Sequence, residues 1–233
     1  MYFDNILKLA SAFEKVAAGE SDRWARGIII QAFQKVMGRE PTIAEAELVQ
    51  AVAKLESGYG KAWGAGEAGQ SHNWGAIQTN NPNVPSFSHN DTRPNEKGQS
   101  VTYQTKFRSY PDDVSGAADV VFNVYKAGRK QHKINMPAQN ANGPEITDGP
   151  GRGEACLKAA EAQDIIKFSA AMFWTGYYEG FGPSFKARIE THAKAMDQRI
   201  REIAAANNEA QAATTVNIQV NTDKSDGVNI SVG

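Results

Sequence analysis

The sequence predicts a mainly helical α+β fold, with amphipathic helices built around one small β-hairpin. Three observations carry that expectation. Apolar residues recur at three- and four-residue spacings over 2–57 and again after 111, the period of helices with one buried face. Residues 58–110 lose that period and become rich in Gly, Asn, Ser and Pro. Inside this stretch, "SVTYQTKFRSY" places Val101, Tyr103, Thr105 and Phe107 on one side, the two-residue period of a strand.

Taken in order, Phe3, Ile6, Leu7, Ala10, Phe13 and Ala17 define a first helix over 2–18, and Trp24, Ile28, Phe33 and Met37 a second over 22–37. A third starts at Thr42, which forms a capping box with Glu45, each side chain satisfying a free N–H of the helix start. Leu48, Val52 and Leu55 are its apolar stripe, and Gly58 suits the left-handed conformation that ends a helix. Residues 95–98 turn a hairpin into the strand. A helix resumes at 111, with Pro111 in its first turn and Asp112 and Asp113 at the positive end of its dipole. A Gly/Pro/Asn loop fills 135–153, and helices follow over 154–175 and 183–206. The tail joins a weakly structured linker to "VNIQVNTDKSDGVNISV", two period-2 segments around Asp-Gly. A lone hairpin is marginal in water, so residues 216–232 are expected to self-associate by pairing with another chain, or to stay mobile. The chain therefore divides into N-terminal helices (1–40) packing on the core, a central domain (41–205) and a linker with a β-prone tail (206–233).

The composition narrows the function. A formal net charge of -1 over 233 residues gives no electrostatic reason for a nucleic-acid partner. Cys156 is the single cysteine, so no intrachain disulfide forms, and its small and apolar neighbours mark it as buried filler rather than a nucleophile. His72, His89, His132 and His192 show no ligand spacing, so no metal site is expected. No apolar run is long enough to insert across a membrane. The N-terminus lacks the basic region and uninterrupted apolar stretch of a signal peptide.

Glu56 is the residue with chemical promise. It follows Val52 by four and Leu48 by eight, on the margin of the buried stripe, where the third helix runs out into Ser-Gly-Tyr-Gly. The negative end of the helix dipole and partial burial both favour the protonated carboxyl, the state of a general acid. On helix position alone, a solvated glutamate is the commoner reading.

The residues after it add a resemblance. "ESGYGKAW" followed by "NWGAIQ" resembles the Glu-Ser and Gly-Leu-Met-Gln signatures of goose-type lysozymes and soluble lytic transglycosylases. It is also similar to bacterial and phage β-N-acetylglucosaminidases, in which a hairpin leads into Phe-Arg-x-Tyr and a helix, as "KFRSYPDDVSGAADVV" does here. The similarity covers residues 42–126 well and extends more loosely to about 200.

The resemblance implies a lysozyme-like domain with a hairpin lobe, in which Glu56 protonates the glycosidic oxygen between amino sugars of peptidoglycan. Ser57 then supports the turn, and Gly75, Ala76, Ile77 and Gln78 line the cleft opposite the acid. Ala-Ile in place of Leu-Met at 76–77 leaves open which family is closer. Asp91 is the first choice for a second carboxylate, although an aspartate there also suits a turn; Glu96 looks like an exposed turn residue. Without a second carboxylate, the substrate's own N-acetyl group or 6-hydroxyl would attack. In "FWTGYYEGFGP", Tyr177 and Tyr178 are candidates to hydrogen-bond the acid or the N-acetyl group, with Tyr178 nearer the bend, and Glu179 is a further cleft carboxylate. An aromatic cluster packing the inter-helix corner is the alternative. Trp63, Trp74 and Trp174 are candidates for sugar stacking or for the core.

The implied activity is cleavage of β-1,4 bonds between MurNAc and GlcNAc, as hydrolase or lytic transglycosylase, with no cofactor. The lack of a signal peptide fits a phage-encoded protein, acting from the virion or from the host cytoplasm with delivery to the wall, and the β-prone tail at 216–232 leans towards virion assembly. The alternative is a non-catalytic lysozyme-fold protein, structural or glycan-binding, that does not depend on Glu56.

Overall fold

The structure is a computed structural model that describes residues 2–61, 71–94, 100–127, 151–178 and 184–222. Along the chain these form α1 (Tyr2–Met37), α2 (Ile43–Ser57), β1 (Ser86–Pro94), β2 (Ser100–Arg108), α3 (Asp113–Tyr125), α4 (Arg152–Glu161), α5 (Ile165–Trp174) and α6 (Phe185–Thr222). The fold is mainly helical with one small antiparallel sheet, as the sequence predicts. Two compact units are present, one of Ala25–Ile200 and one of Met1–Trp24 with Arg201–Gly233. In the second unit, Gly19 lies against Ala206, and Ile203 is fully buried.

In the larger unit, α2 is closed at both ends by its own residues. The Thr42 hydroxyl accepts from the Glu45 N–H at 3.2 Å, and the Glu45 carboxylate accepts from the Thr42 N–H at 2.7 Å. Gly58 ends the helix at φ 55°. The core joins Ile29 and Phe33 of α1, Val49 and Val52 of α2, Val120, Val121 and Val124 of α3, Phe168 and Met172 of α5, and Met196 of α6. Tyr125 runs through it between Phe33 and Phe168, and its hydroxyl donates to the Glu45 carbonyl at 3.1 Å. Cys156 is buried, as expected, and burial pushes its thiol up to about 12.

The hairpin pairs Phe87 with Phe107 and Asp91 with Tyr103. Its base is packed, with Phe107 buried and stacked on Phe87, while most of β2 is exposed. Residues 77–79 extend the sheet at this base, with the Arg108 N–H donating to the Ile77 carbonyl at 2.9 Å and the Thr79 N–H to the Lys106 carbonyl at 3.0 Å.

Several elements differ from the sequence reading. α1 is one helix rather than two, because Gly19, the glycine at the expected break, costs only about 1 kcal/mol against long helix-forming flanks. Residues 154–175 divide into α4 and α5: Gln163 adopts φ 52°, and Asp164 caps α5 by accepting the Lys167 N–H at 2.9 Å. Pro111 lies ahead of the first turn of α3; Asp112 is the N-cap, accepting the Ser115 N–H at 2.7 Å. α6 continues to Thr222, so the 206–215 linker and the first period-2 segment are helical, carried by the alanines and straight-chain residues of "AAANNEAQAA". The hairpin turn at 95–98 and the second period-2 segment lie outside the described residues, as do positions 135–150 of the predicted loop.

Candidate active site

Glu56 occupies the last turn of α2, and the next residue locks that end in place. Ser57 is buried; its hydroxyl donates to the Trp74 carbonyl at 2.7 Å and accepts the Gly60 N–H at 2.8 Å. The helix terminus is thereby fastened to the segment that begins at Asn73. That segment is folded by the fully buried Asn73 side chain. Its Nδ2 donates to the carbonyls of Ile77 and Arg108, both at 3.0 Å, and its Oδ1 accepts the Ile77 N–H at 2.9 Å.

Within this loop Gly75 is buried, Ala76 and Ile77 are half-buried, and Gln78 is exposed, bridging by its backbone to Phe107. Gly75 has no room for a side chain. A Cβ there would lie 2.8 Å from Val120 Cγ2 and 2.9 Å from the Tyr177 hydroxyl. That hydroxyl donates to the Gly75 carbonyl at 3.4 Å. On the other side, Gly116 brings α3 into backbone contact, since a Cβ there would fall 1.7 Å from the His72 carbonyl oxygen.

The Glu56 carboxyl is half-buried, and burial alone pushes it up to about 7. Its charge also raises both Tyr177 and Tyr178, adding to their own burial, so the two rings lie within its electrostatic reach. The two hydroxyls are placed differently. Tyr177 turns its hydroxyl to Gly75, whereas Tyr178 donates to the Ser169 carbonyl at 3.0 Å. The Tyr178 ring stacks on His192 at 3.8 Å and 10°, and His192 Nδ1 lies 3.0 Å from the Ser169 hydroxyl. Burial lowers His192 to about 4, so the imidazole under Tyr178 is neutral. Both tyrosines, named together as candidates with Tyr178 nearer the bend, thus give their hydroxyl protons to backbone carbonyls, Tyr177 to Gly75 and Tyr178 to Ser169.

The other sequence candidates divide in the same plain way. Asp91 pairs through its backbone with Tyr103 in the hairpin; its side chain, and the whole of Glu96, Glu179 and Trp63, lie outside the described residues. Trp74 is fully buried, with Nε1 donating to Asp113 at 2.9 Å, which makes it a core residue. Trp174 packs against Phe173 and Phe185 at 5.2 and 5.5 Å, which matches the corner-packing alternative.

Sequence reasoning missed two organising residues besides Arg152, described below. Asn73 stands in the quoted motif, but its backbone-bridging role depends on Arg108, 35 residues away. Asp119 of α3 accepts from Arg108 Nη1 at 2.7 Å, from the Tyr110 hydroxyl, and from Asn123 Nδ2 at 3.0 Å. This carboxylate ties the end of β2 to α3. The Arg-x-Tyr spacing at 108–110 was its only trace in the sequence.

A glycoside hydrolase domain from Salmonella typhimurium FlgJ is similar in structure, with a TM-score of 0.50 and 16% identity, over 87% of this chain and 98% of that one. The chain shares its fold. A C-terminally truncated form of that domain gives 0.47 at 17% identity, over 81% of this chain and 98% of that one. The catalytic domain of the autolysin Auto from Listeria monocytogenes gives 0.42 at 13% identity, over 79% and 86%. Neither a family model nor a curated protein matches the chain by sequence.

Proposed function

We propose that the chain is a glycosidase acting on the glycan strands of peptidoglycan, with Glu56 as general acid. The observation that carries this reading is the Glu56 carboxyl, held up to about 7 by burial at a helix end that Ser57 fastens to the Trp74 carbonyl, at the start of the Gly75–Gln78 loop. A carboxyl that keeps its proton near neutrality is what protonation of a leaving oxygen requires. The fold shared with the FlgJ glycoside hydrolase domain supports the same class of reaction.

In this reading Glu56 gives its proton to the bridging oxygen of a β-1,4 bond between MurNAc and GlcNAc. The C1–O bond breaks with its electron pair on the departing oxygen, leaving an oxocarbenium-like sugar. Where the sugar's own 6-hydroxyl attacks C1, the Glu56 carboxylate takes its proton; where water attacks, Asp91 takes it. Water activated by Asp91 gives hydrolysis; the sugar's own 6-hydroxyl gives the anhydro product of a lytic transglycosylase. Tyr177 supplies a hydroxyl beside the acid, Gly75, Ala76, Ile77 and Gln78 form the facing wall, and Ser57 holds the two together. In the same reading, Tyr178 and Glu179 are groups that contact the sugar. We extend the proposal to the setting: a phage-encoded protein delivered to the cell wall, with the tail serving assembly.

Zymography on purified cell walls tests the assignment. Glu56→Gln should reduce clearing by at least about 100-fold, the lower range for loss of a general acid. Equal clearing by wild type and variant removes Glu56 from the mechanism, and a folded but inactive wild type favours the non-catalytic glycan-binding alternative. Mass spectrometry of the released fragments separates anhydro from reducing ends.

A further inference from the structure

Arg152, the first residue of α4, is almost fully buried, and its guanidinium is spent on the turn that carries Tyr177. Nε donates to the Thr175 hydroxyl at 2.5 Å and Nη2 to the Thr175 carbonyl at 2.6 Å. Nη1 donates to the Asn123 carbonyl at 3.2 Å, and the guanidinium carbon lies 5.5 Å from the centre of the Tyr177 ring. Among the described residues no carboxylate pairs with it. A buried cation is costly to keep, and here each hydrogen bond and the ring contact serve the Thr175–Tyr177 turn or the end of α3.

The anchor is itself fixed. Gly153 presses α4 onto the end of α3, where an added Cβ would lie 2.4 Å from the Tyr125 carbonyl oxygen, and its N–H donates to the Ala127 carbonyl at 3.1 Å. Asn123, which receives Nη1, also holds Asp119, and Asp119 holds Arg108 of β2. A continuous polar chain thus runs from the hairpin base through α3 and Arg152 to the tyrosine turn.

We propose that Arg152 is a positioning residue: it grips the Thr175–Tyr177 turn so that the Tyr177 hydroxyl stays at the Gly75 carbonyl, next to the Trp74 carbonyl that Ser57 ties to the end of α2. The catalytic side of this inference rests on the glycosidase reading of Glu56. With the Tyr177 hydroxyl fixed on the Gly75 carbonyl, the loop that Ser57 ties to the Glu56 end of α2 keeps its placement, and a small misplacement there costs rate steeply. The guanidinium fork holds the Thr175 hydroxyl and carbonyl at once while its plane meets the ring, and a lysine ammonium lacks that geometry.

The test uses the full chain with fluorotyrosine at position 177, comparing wild type, Arg152→Lys and Thr175→Val. Fluorine NMR of residue 177, the thermal midpoint, and kcat and KM on dye-labelled solubilised peptidoglycan are measured together. Arg152→Lys should displace the fluorine resonance and lower kcat about tenfold to a hundredfold, with KM changed less than about threefold. Thr175→Val keeps the charge but loses one anchor, and should do the same to a smaller degree, about threefold to tenfold in kcat. Should Arg152→Lys fail to fold, Thr175→Val decides. An unmoved resonance with unchanged kcat in a folded variant overturns the proposal, even where the thermal midpoint falls. If the wild type releases no dye, the glycosidase reading fails and the catalytic role with it; the resonance then decides the grip on Tyr177 by itself.

Discussion

The helical wall and the hairpin meet at the same site but are held by different means. Around α2 and α3 the contacts are backbone against backbone or fully buried side chains: Gly116 on the His72 carbonyl, Gly75 against Val120, Ser57 on Trp74. The hairpin is exposed over most of β2 and is fastened at its base by Phe107, by the Asn73 bond to the Arg108 carbonyl, and by Asp119. Glu56 thus stands on the part closed by backbone contacts and buried side chains, and the exposed hairpin hangs from a few struts. Rigid placement serves proton transfer, where misplacement costs rate steeply; local freedom is tolerated where contacts are spread over a surface.

Breaking the wall should have the largest effect. Gly116→Ala drives a methyl into the His72 carbonyl and should cost at least about 3 kcal/mol or prevent folding, read from denaturant unfolding. Next comes the proton on Glu56. In the unfolded chain this carboxyl ionises near its ordinary value of 4.5, but in the fold only near 7. Between those values the folded state binds more protons, so its contribution to stability is complete below about pH 4 and is lost as pH rises through about 7. Glu56→Gln should therefore match wild type at low pH and exceed it by roughly 3 kcal/mol at about pH 8, in melts followed across pH. Over the same rise, wild-type cell-wall cleavage should fall through about pH 7 as the acid loses its proton.

A smaller and more local loss sharpens the contrast. Asp119→Ala strips Arg108 and Tyr110 of their shared partner and should cost about 2 kcal/mol. Hydrogen exchange should quicken at the hairpin amides while those of α2 and α5 keep their protection; equal loosening everywhere would erase the distinction between the two regions. At the bottom of the scale, Tyr103→Ser on the outer hairpin should change stability by less than about 0.5 kcal/mol, since Tyr103 is 45% exposed.

What the sequence disclosed follows the reach of its interactions. The α2 boundaries were legible because Thr42, Glu45 and Gly58 act within a turn of their own positions, and β2 was legible from its alternation. The place of Glu56 and Ser57 at the end of α2 was legible from the apolar stripe and Gly58. The break at Gln163 was hidden because a left-handed glutamine has no composition cue, and the unbroken α1 was hidden because Gly19 looks like punctuation. Asn73, Asp119 and Arg152 were hidden for a different reason. Their partners are carbonyls or side chains far along the chain, and a hydrogen bond to a carbonyl leaves no mark on the identity of the residue that supplies it. Arg152 closed a stretch that composition alone assigns to a loop.

The close approach at Gly116 has a further consequence for how such a protein diversifies. With a main-chain oxygen seated directly on a helix, the separation of the two walls is a gauge machined from atoms common to every amino acid, and replacement of neighbouring side chains has little purchase on it. Variation around this junction must then accumulate in the exposed side chains of the outer hairpin, leaving the spacing of α3 and the His72 backbone inherited unchanged.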